Sequence, residues 1–162
     1  MHHDASTAEV LVYTYREGLL SAVGHDLCLR VSRMSIDVGA DDAVVAEFDA
    51  ASLRAHGVSP DDARKIEKNA ADDVLAARRF PTNVFRSTKV TRDGEARARI
   101  EGNLTLHGAT RPLAFDAVAD GTSWQSEVRL DVRDFGIKPY SALFGTLRVR
   151  ADVRVVVRVP RA

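Results

Sequence analysis

The chain has 162 residues, enough for one domain with a real core, and its 45% hydrophobic and 28% charged content is that of an ordinary globular protein. Its 23 basic and 23 acidic side chains cancel, which argues against general nucleic-acid binding through a basic surface. No run approaches ~20 apolar residues, so no membrane-spanning helix is expected, and the lone Cys28 leaves no intramolecular disulfide to form.

The opening MHHDASTAEVLVYTYREG has no basic segment followed by an apolar run, so cytoplasmic residence is the expectation, with residues 1–8 flexible. Val10 to Arg16 reads as a first strand. Glu17 to Gly24 is irregular and bracketed by glycine. Leu27 to Val38 reads as a second strand whose inward parity switches near Ser32-Arg33, the mark of a β-bulge. Val44 to Asp49 is a third. Ser59-Pro60-Asp61-Asp62 is a helix start: a capping hydroxyl, a proline suited to the first turn, and two carboxylates at the positive helix end. Ile66, Ala70 and Val74 follow at spacing four, predicting a helix over about 60–77 with a narrow apolar stripe.

Beyond Phe80-Pro81 the pattern is strand. Asn83 to Arg92 comes first. In Glu95 to His107 the even positions are small or apolar and the odd ones mostly polar; after His107-Gly108, Leu113, Phe115, Ala117 and Ala119 share a face. Two half-buried strands around a short glycine turn predict an antiparallel hairpin. Trp124, Ser126, Val128 and Leu130 alternate with polar residues, and a final strand is expected from Phe144 to Val159. These connections are too short for parallel crossovers. The expected fold is mainly β, a single-domain, eight-stranded antiparallel barrel with one inserted helix; closure removes the sheet edges.

Chemistry-bearing motifs are sparse. Gly24-His25-Asp26-Leu27 places a histidine beside an aspartate, but sequence neighbours on an extended chain point opposite ways and form no dyad alone. His56 and His107 read as loop and turn residues. No paired-cysteine motif, His-x-x-x-His or glycine-rich phosphate loop occurs, so neither metal nor cofactor is expected. The connection Asp134 to Phe144 holds Phe135, Ile137, Tyr140, Leu143 and Phe144, too apolar for a free loop, and is expected to fold over a barrel end.

Three segments resemble a known family. Gly102-Asn103-Leu104-Thr105-Leu106-His107-Gly108-Ala109-Thr110-Arg111-Pro112-Leu113 is similar to its hairpin motif. Arg79-Phe80-Pro81-Thr82-Asn83-Val84-Phe85-Arg86-Ser87-Thr88 resembles the start of one of its strands, and Asp134-Phe135-Gly136-Ile137 a third element. Order and spacing agree over about Ser59 to Val159 with the YceI-like proteins, lipocalin-like β-barrels. The resemblance implies an extended eight-stranded barrel with a helix at one side, and a long apolar channel holding a polyisoprenoid or similar amphiphile. It also implies frequent dimers and no family-wide catalytic residues. On this basis the expected function is non-enzymatic binding of an amphipathic lipid, isoprenoid, quinone or fatty-acyl chain, without stable membrane insertion. The expected lining is Phe85, Leu104, Leu106, Phe115, Trp124 and Val128, with Phe135, Tyr140, Leu143 and Phe144 in the lid and His25 as a polar contact at one mouth. The rival readings are a barrel plugged by its own side chains, or a hydrolase or isomerase using His25, Asp26 and Tyr140.

Overall fold

The structure, a computed structural model, describes residues 1–18 and 26–161. The strands are β1 (His2–Asp4), β2 (Glu9–Thr14), β3 (Arg16–Glu17), β4 (Leu27–Val31), β5 (Met34–Val38), β6 (Val44–Asp49) and β7 (Leu53–His56). After helix α1 (Pro60–Asn69) come β8 (Thr82–Asp93), β9 (Arg97–Leu106), β10 (Ala109–Asp120), β11 (Ser123–Asp131), β12 (Ser141–Ala142), β13 (Leu147–Val149) and β14 (Asp152–Pro160). Eleven of them form one strongly curled antiparallel sheet in the order β1-β5-β6-β8-β9-β10-β11-β14-β2-β4-β7, and β12-β13-β3 form a small second sheet. No described helix is long and apolar enough to cross a membrane.

The eight strands expected from the sequence are thus eleven in the large sheet, for three local reasons. The run from Leu27 to Val38 is not one bulged strand: it stops at Ser32-Arg33, β4 pairing with β2 and β7 while β5 pairs with β1 and β6. The following run is interrupted opposite this point, between β6 and β7. At the joint, hydroxyls stand in for ladder bonds. Ser32 donates its N–H (2.9 Å) and its Oγ (2.8 Å) to the Ser52 carbonyl, and the fully buried Ser52 Oγ reaches the carbonyls of Asp49 (2.8 Å) and Arg33 (3.2 Å). Finally, the N-terminal residues expected to be flexible include β1, with His2, His3 and Asp4 registered on Asp37, Ile36 and Ser35.

Two further boundaries differ from expectation. The helix is α-helical only to Asn69; Ala70–Val74 form a π-turn, with Leu75 N–H donating to the Ala70 carbonyl at 2.9 Å. The extra residue in that turn lets both Val74 and Leu75 face the sheet interior. The expected final strand from Phe144 to Val159 breaks after Val149, so β13 joins the small sheet and β14 the large one.

Other signals are realised as read. Ser59 caps α1, its Oγ accepting from Asp62 N–H at 3.2 Å. Leu106 pairs with Ala109, leaving His107 and Gly108 as a two-residue hairpin loop, both with positive φ (54° and 74°) as a type I′ turn demands. A side chain at Gly108 would strike the Phe80 ring, which itself stacks on His107 with centroids 4.6 Å apart.

Candidate functional site: an apolar lumen

The curl of the large sheet turns one face of every strand inward, around a cavity of about 1030 Å³. Ligand pockets commonly occupy ~300–1,000 Å³ and are mostly apolar with a few placed polar groups. The wall fits that description because the strands alternate. On β14, Val153, Val155, Val157 and Val159 point in, while Arg154 and Arg158 point out to pair with Glu127 (3.3 Å) and Glu9 (3.6 Å).

Phe85, Leu104, Leu106, Phe115, Trp124 and Val128 all line the cavity, as expected from parity. Phe85 of β8 and Phe115 of β10, on the same stretch of wall with β9 between them, have ring centroids 5.4 Å apart. Tyr140 also lines it, its hydroxyl 3.4 Å from Asn69 Nδ2. Two lid residues behave differently. Phe135 is buried at the end of the short helix Val132–Phe135, packed in the core beside Ile137, and it is Ile137 that reaches the cavity. Phe144 points into solvent, 110% exposed with φ 57°, because the tight β12–β13 connection turns its side chain away from the cavity. Leu143 belongs to that same connection, and its side chain lies outside the described part.

His25, and with it most of the irregular segment up to Gly24, lies outside the described residues. Its neighbour Asp26 is described: the carboxylate accepts the Arg16 backbone N–H at 3.0 Å, a loop-bracing role. Among the described residues no three His, Cys, Asp or Glu side chains converge on a metal position.

The ends of the cavity differ. At one end, strand register gathers the end of β7, α1, the His107-Gly108 turn and the β11–β14 connection. There Ile66, Asn69 and Val74 of the helical segment face Ile137 and Tyr140 around the cavity, and Glu67 ties α1 to β7 by accepting Ala55 N–H at 3.0 Å. At the other end, Arg92 of β8 grips Asp42 in the β5–β6 turn with two hydrogen bonds, one of 2.6 Å from Nε and one from a terminal guanidinium nitrogen. The hydrogen bonds from Arg92 hold the Asp42 carboxyl below the usual carboxylate range. The Arg92 guanidinium also lies over Trp124, 5.6 Å from the ring centroid.

Three buried polar residues in the wall are additions to the sequence reading: His3, Asn83 and Ser126. Asn83 and Ser126 share inward parity with Phe85 and Val128, so their position was readable though their role was not. Asn83 Oδ1 accepts the His107 N–H at 3.3 Å, steadying the hairpin turn. His3 is 5% exposed, and its Nε2 has no hydrogen-bond partner among the described residues. Burial pushes its imidazole below the ordinary value, so the ring is neutral at pH 7.

Comparison with known proteins agrees with this geometry. The YceI-like domain profile matches residues 13–160. A UPF0312 protein of Pseudomonas putida (strain W619) is 36% identical over 97 residues, covering 54% of this chain and 50% of the relative. A UPF0312 protein of Vibrio cholerae (strain El Tor Inaba N16961) is 30% identical over 114 residues, covering 59% and 60%. The matches thus span about half of each curated relative. Among solved structures, Burkholderia cenocepacia BcnA superposes with a TM-score of 0.72 at 14% identity, over 96% of both chains. A polyisoprenoid-binding domain from Saccharophagus degradans superposes with a TM-score of 0.55 at 12% identity, over 98% of this chain and 97% of that one. At such identities these two likenesses speak for the fold alone.

Proposed function

The chain belongs to the YceI-like domain family, and from that premise we propose that it is a non-enzymatic carrier or store for one amphipathic lipid-like chain held in the lumen. The observation that carries this reading is the apolar cavity of about 1030 Å³, walled by every strand of the large sheet. A ~15-carbon tail buried at ~0.8 kcal/mol per CH₂ supplies ~12 kcal/mol before association and ordering costs, without any charged contact. The polyisoprenoid-binding description of the Saccharophagus degradans domain supports the same class of cargo.

The proposal includes a closed, eight-stranded wall. Taking β4 with β5, and β6 with β7, as two strands each interrupted once, and setting β1 aside, reduces the sheet to eight. The β4–β7 pairing of Cys28, Leu29, Arg30 and Val31 with His56, Ala55, Arg54 and Leu53 supports its closure. Phe85, Leu104, Leu106, Phe115, Trp124, Val128 and Tyr140 are the proposed cargo contacts.

The test is mass spectrometry of an organic extract of the purified protein, beside native mass spectrometry of the intact chain. A stoichiometric polyprenyl, quinone or fatty-acyl species is expected. A clean ligand-free mass, with no uptake from an added lipid mixture, overturns the carrier in favour of a side-chain-plugged barrel. The native mass also reports whether the chain forms the homodimer that the family resemblance implies.

A further inference from the structure

The large sheet is laced unevenly. β10 pairs with β9 from Ala109 on Leu106 to Val118 on Arg97, and β11 pairs with β14 from Ser123 on Pro160 to Asp131 on Asp152. Yet β10 and β11 pair with each other only from Asp120 on Ser123 to Ala117 on Ser126. Both strands run on past that point, β10 back to Ala109 and β11 forward to Asp131, without being registered on one another. The two edges are tied again at the far end, where Arg111 Nε donates to the Asp134 carbonyl at 3.0 Å. Between the ladder and that tie, residues 113–116 face 127–130 across a slot in the wall.

The residues explain why the ladder stops. Its register, continued, would pair the backbone of Asp116 with Glu127, Ala114 with Arg129 and Pro112 with Asp131. Asp116 opposite Glu127 sets two carboxylates side by side, which opposes zipping. Each is drawn aside instead, Asp116 to Arg99 on β9 (3.0 Å) and Glu127 to Arg154 on β14 (3.3 Å). Pro112 has no N–H to give, and proline within a sheet belongs on an unpaired edge.

The slot connects the lumen with the outer surface. Leu113, Phe115 and Val128 line the cavity and also the outer cleft, beside Ala114, Asp116 and Arg129. The inner rim is apolar. The outer rim is charged, the dressing that keeps an open edge from recruiting a foreign strand. Parting the wall here breaks no ladder pair, whereas the β9–β10 and β11–β14 seams would each give up a row of hydrogen bonds. Both ends of the cavity are crossed by side-chain ties, Arg92 to Asp42 and Asn69 to Tyr140. A long chain passing sideways need not be threaded past either.

Building on the carrier reading, we propose that the apolar chain of the cargo enters and leaves the lumen sideways, through the slot between β10 and β11.

The experiment times cargo release from the intact, delipidated and reloaded chain carrying Cys28→Ser, Ala114→Cys and Arg129→Cys. Ala114 and Arg129 are exposed on the outer face, so joining their replacements pins the edges without filling the lumen. They are joined by oxidation or, where the gap is too wide for a disulfide, by dibromobimane. The fluorescent probes retinol and cis-parinaric acid stand for isoprenoid and fatty-acyl chains, and excess phosphatidylcholine vesicles receive them. Joining should slow release by roughly tenfold or more, with no change in single-cysteine controls treated alike. Release at an unchanged rate overturns the portal and leaves the carrier standing. Failure of wild type to take up either probe overturns both. Should neither reagent join the pair, amide hydrogen exchange of wild type decides. The Ala114, Asp116, Glu127 and Arg129 amides are expected to exchange freely while Leu113 and Phe115, bonded to β9, are protected. Equal protection of both sets means a zipped seam and refutes the portal.

Discussion

His3 and Phe144 are opposite violations of the usual sorting of side chains: a buried polar ring whose Nε2 has no partner among the described residues, and an aromatic ring left wholly in water. For His3 the cost depends on pH. Burial lowers its folded value below 6.5, with the N-terminal amine and His2 pushing the same way and Asp37 and Asp4 opposing. Between the lowered value and 6.5 the unfolded chain holds a proton that the native ring refuses, so stability rises with pH across that window and falls as pH drops through it. His3→Leu should therefore raise the stability of the ligand-free protein by roughly 1 kcal/mol at pH 7. It should also flatten the decline toward pH 5, as read by urea unfolding at several pH values. A steeper acid decline in the variant would contradict this account. For Phe144 the cost lies in the backbone: a left-handed conformation strains a non-glycine residue by ~1–2 kcal/mol, and asparagine tolerates it best. Phe144→Asn is expected to leave the melting temperature unchanged or raise it by a few degrees; a fall would mean that the ring packs against something in solution.

Among the elements, the joint between β4–β5 and β6–β7 depends on Ser52. Its hydroxyl is buried against the Asp49 and Arg33 carbonyls, so Ser52→Ala leaves buried acceptors short and should cost ~1–3 kcal/mol in denaturant unfolding. A cost below about 0.3 kcal/mol would show that the backbone holds the joint without it. The β9–β10 hairpin depends on Gly108. Its φ of +74° and the Phe80 Cε1 atom 2.5 Å from any added Cβ together predict that Gly108→Ala destabilises by more than ~1 kcal/mol. Gly102 is a different case, with an ordinary φ but no room. A Cβ there would meet the Arg86 carbonyl, the Phe85 ring (2.7 Å) and Ser87 Cα (2.8 Å), beside the register shift between Ser87 and Lys89. The bulge is thus matched to a glycine on the facing strand.

For the molecule as a whole, the lumen makes stability and binding two readings of one cavity. A cargo that binds only the folded state stabilises by mass action, about 2.7 kcal/mol at a hundredfold excess over Kd. Delipidated protein should therefore melt at a lower temperature than protein as isolated, and recover when lipid is returned. Leu104→Trp places a larger ring opposite Phe85 and into the cavity. It is expected to keep the fold and lose lipid uptake. A folded variant with undiminished uptake would put the cargo elsewhere.

Much of this was legible in the residue order. Period-two alternation settles which side chains of β9, β10, β11 and β14 share a face, because neighbours on an extended chain must point opposite ways. The Ser59-Pro60-Asp61-Asp62 run marks the helix start, and His107-Gly108 the hairpin loop, because both are set by local sterics and hydrogen bonding. What stayed hidden depends on partners distant in the chain. Nothing near Ser32 announces Ser52, whose hydroxyl replaces the ladder where two strands break together. Nothing near His3 announces Ile36, whose pairing draws the N-terminus into the wall and seats an imidazole among apolar side chains. Phe144 carries the same composition signal as Phe135, yet a local turn turns one outward and buries the other. Local pattern specifies a face, whereas membership of the lumen wall requires knowing which strand lies alongside, and that is settled only when the sheet curls and its hydrogen bonds are paired.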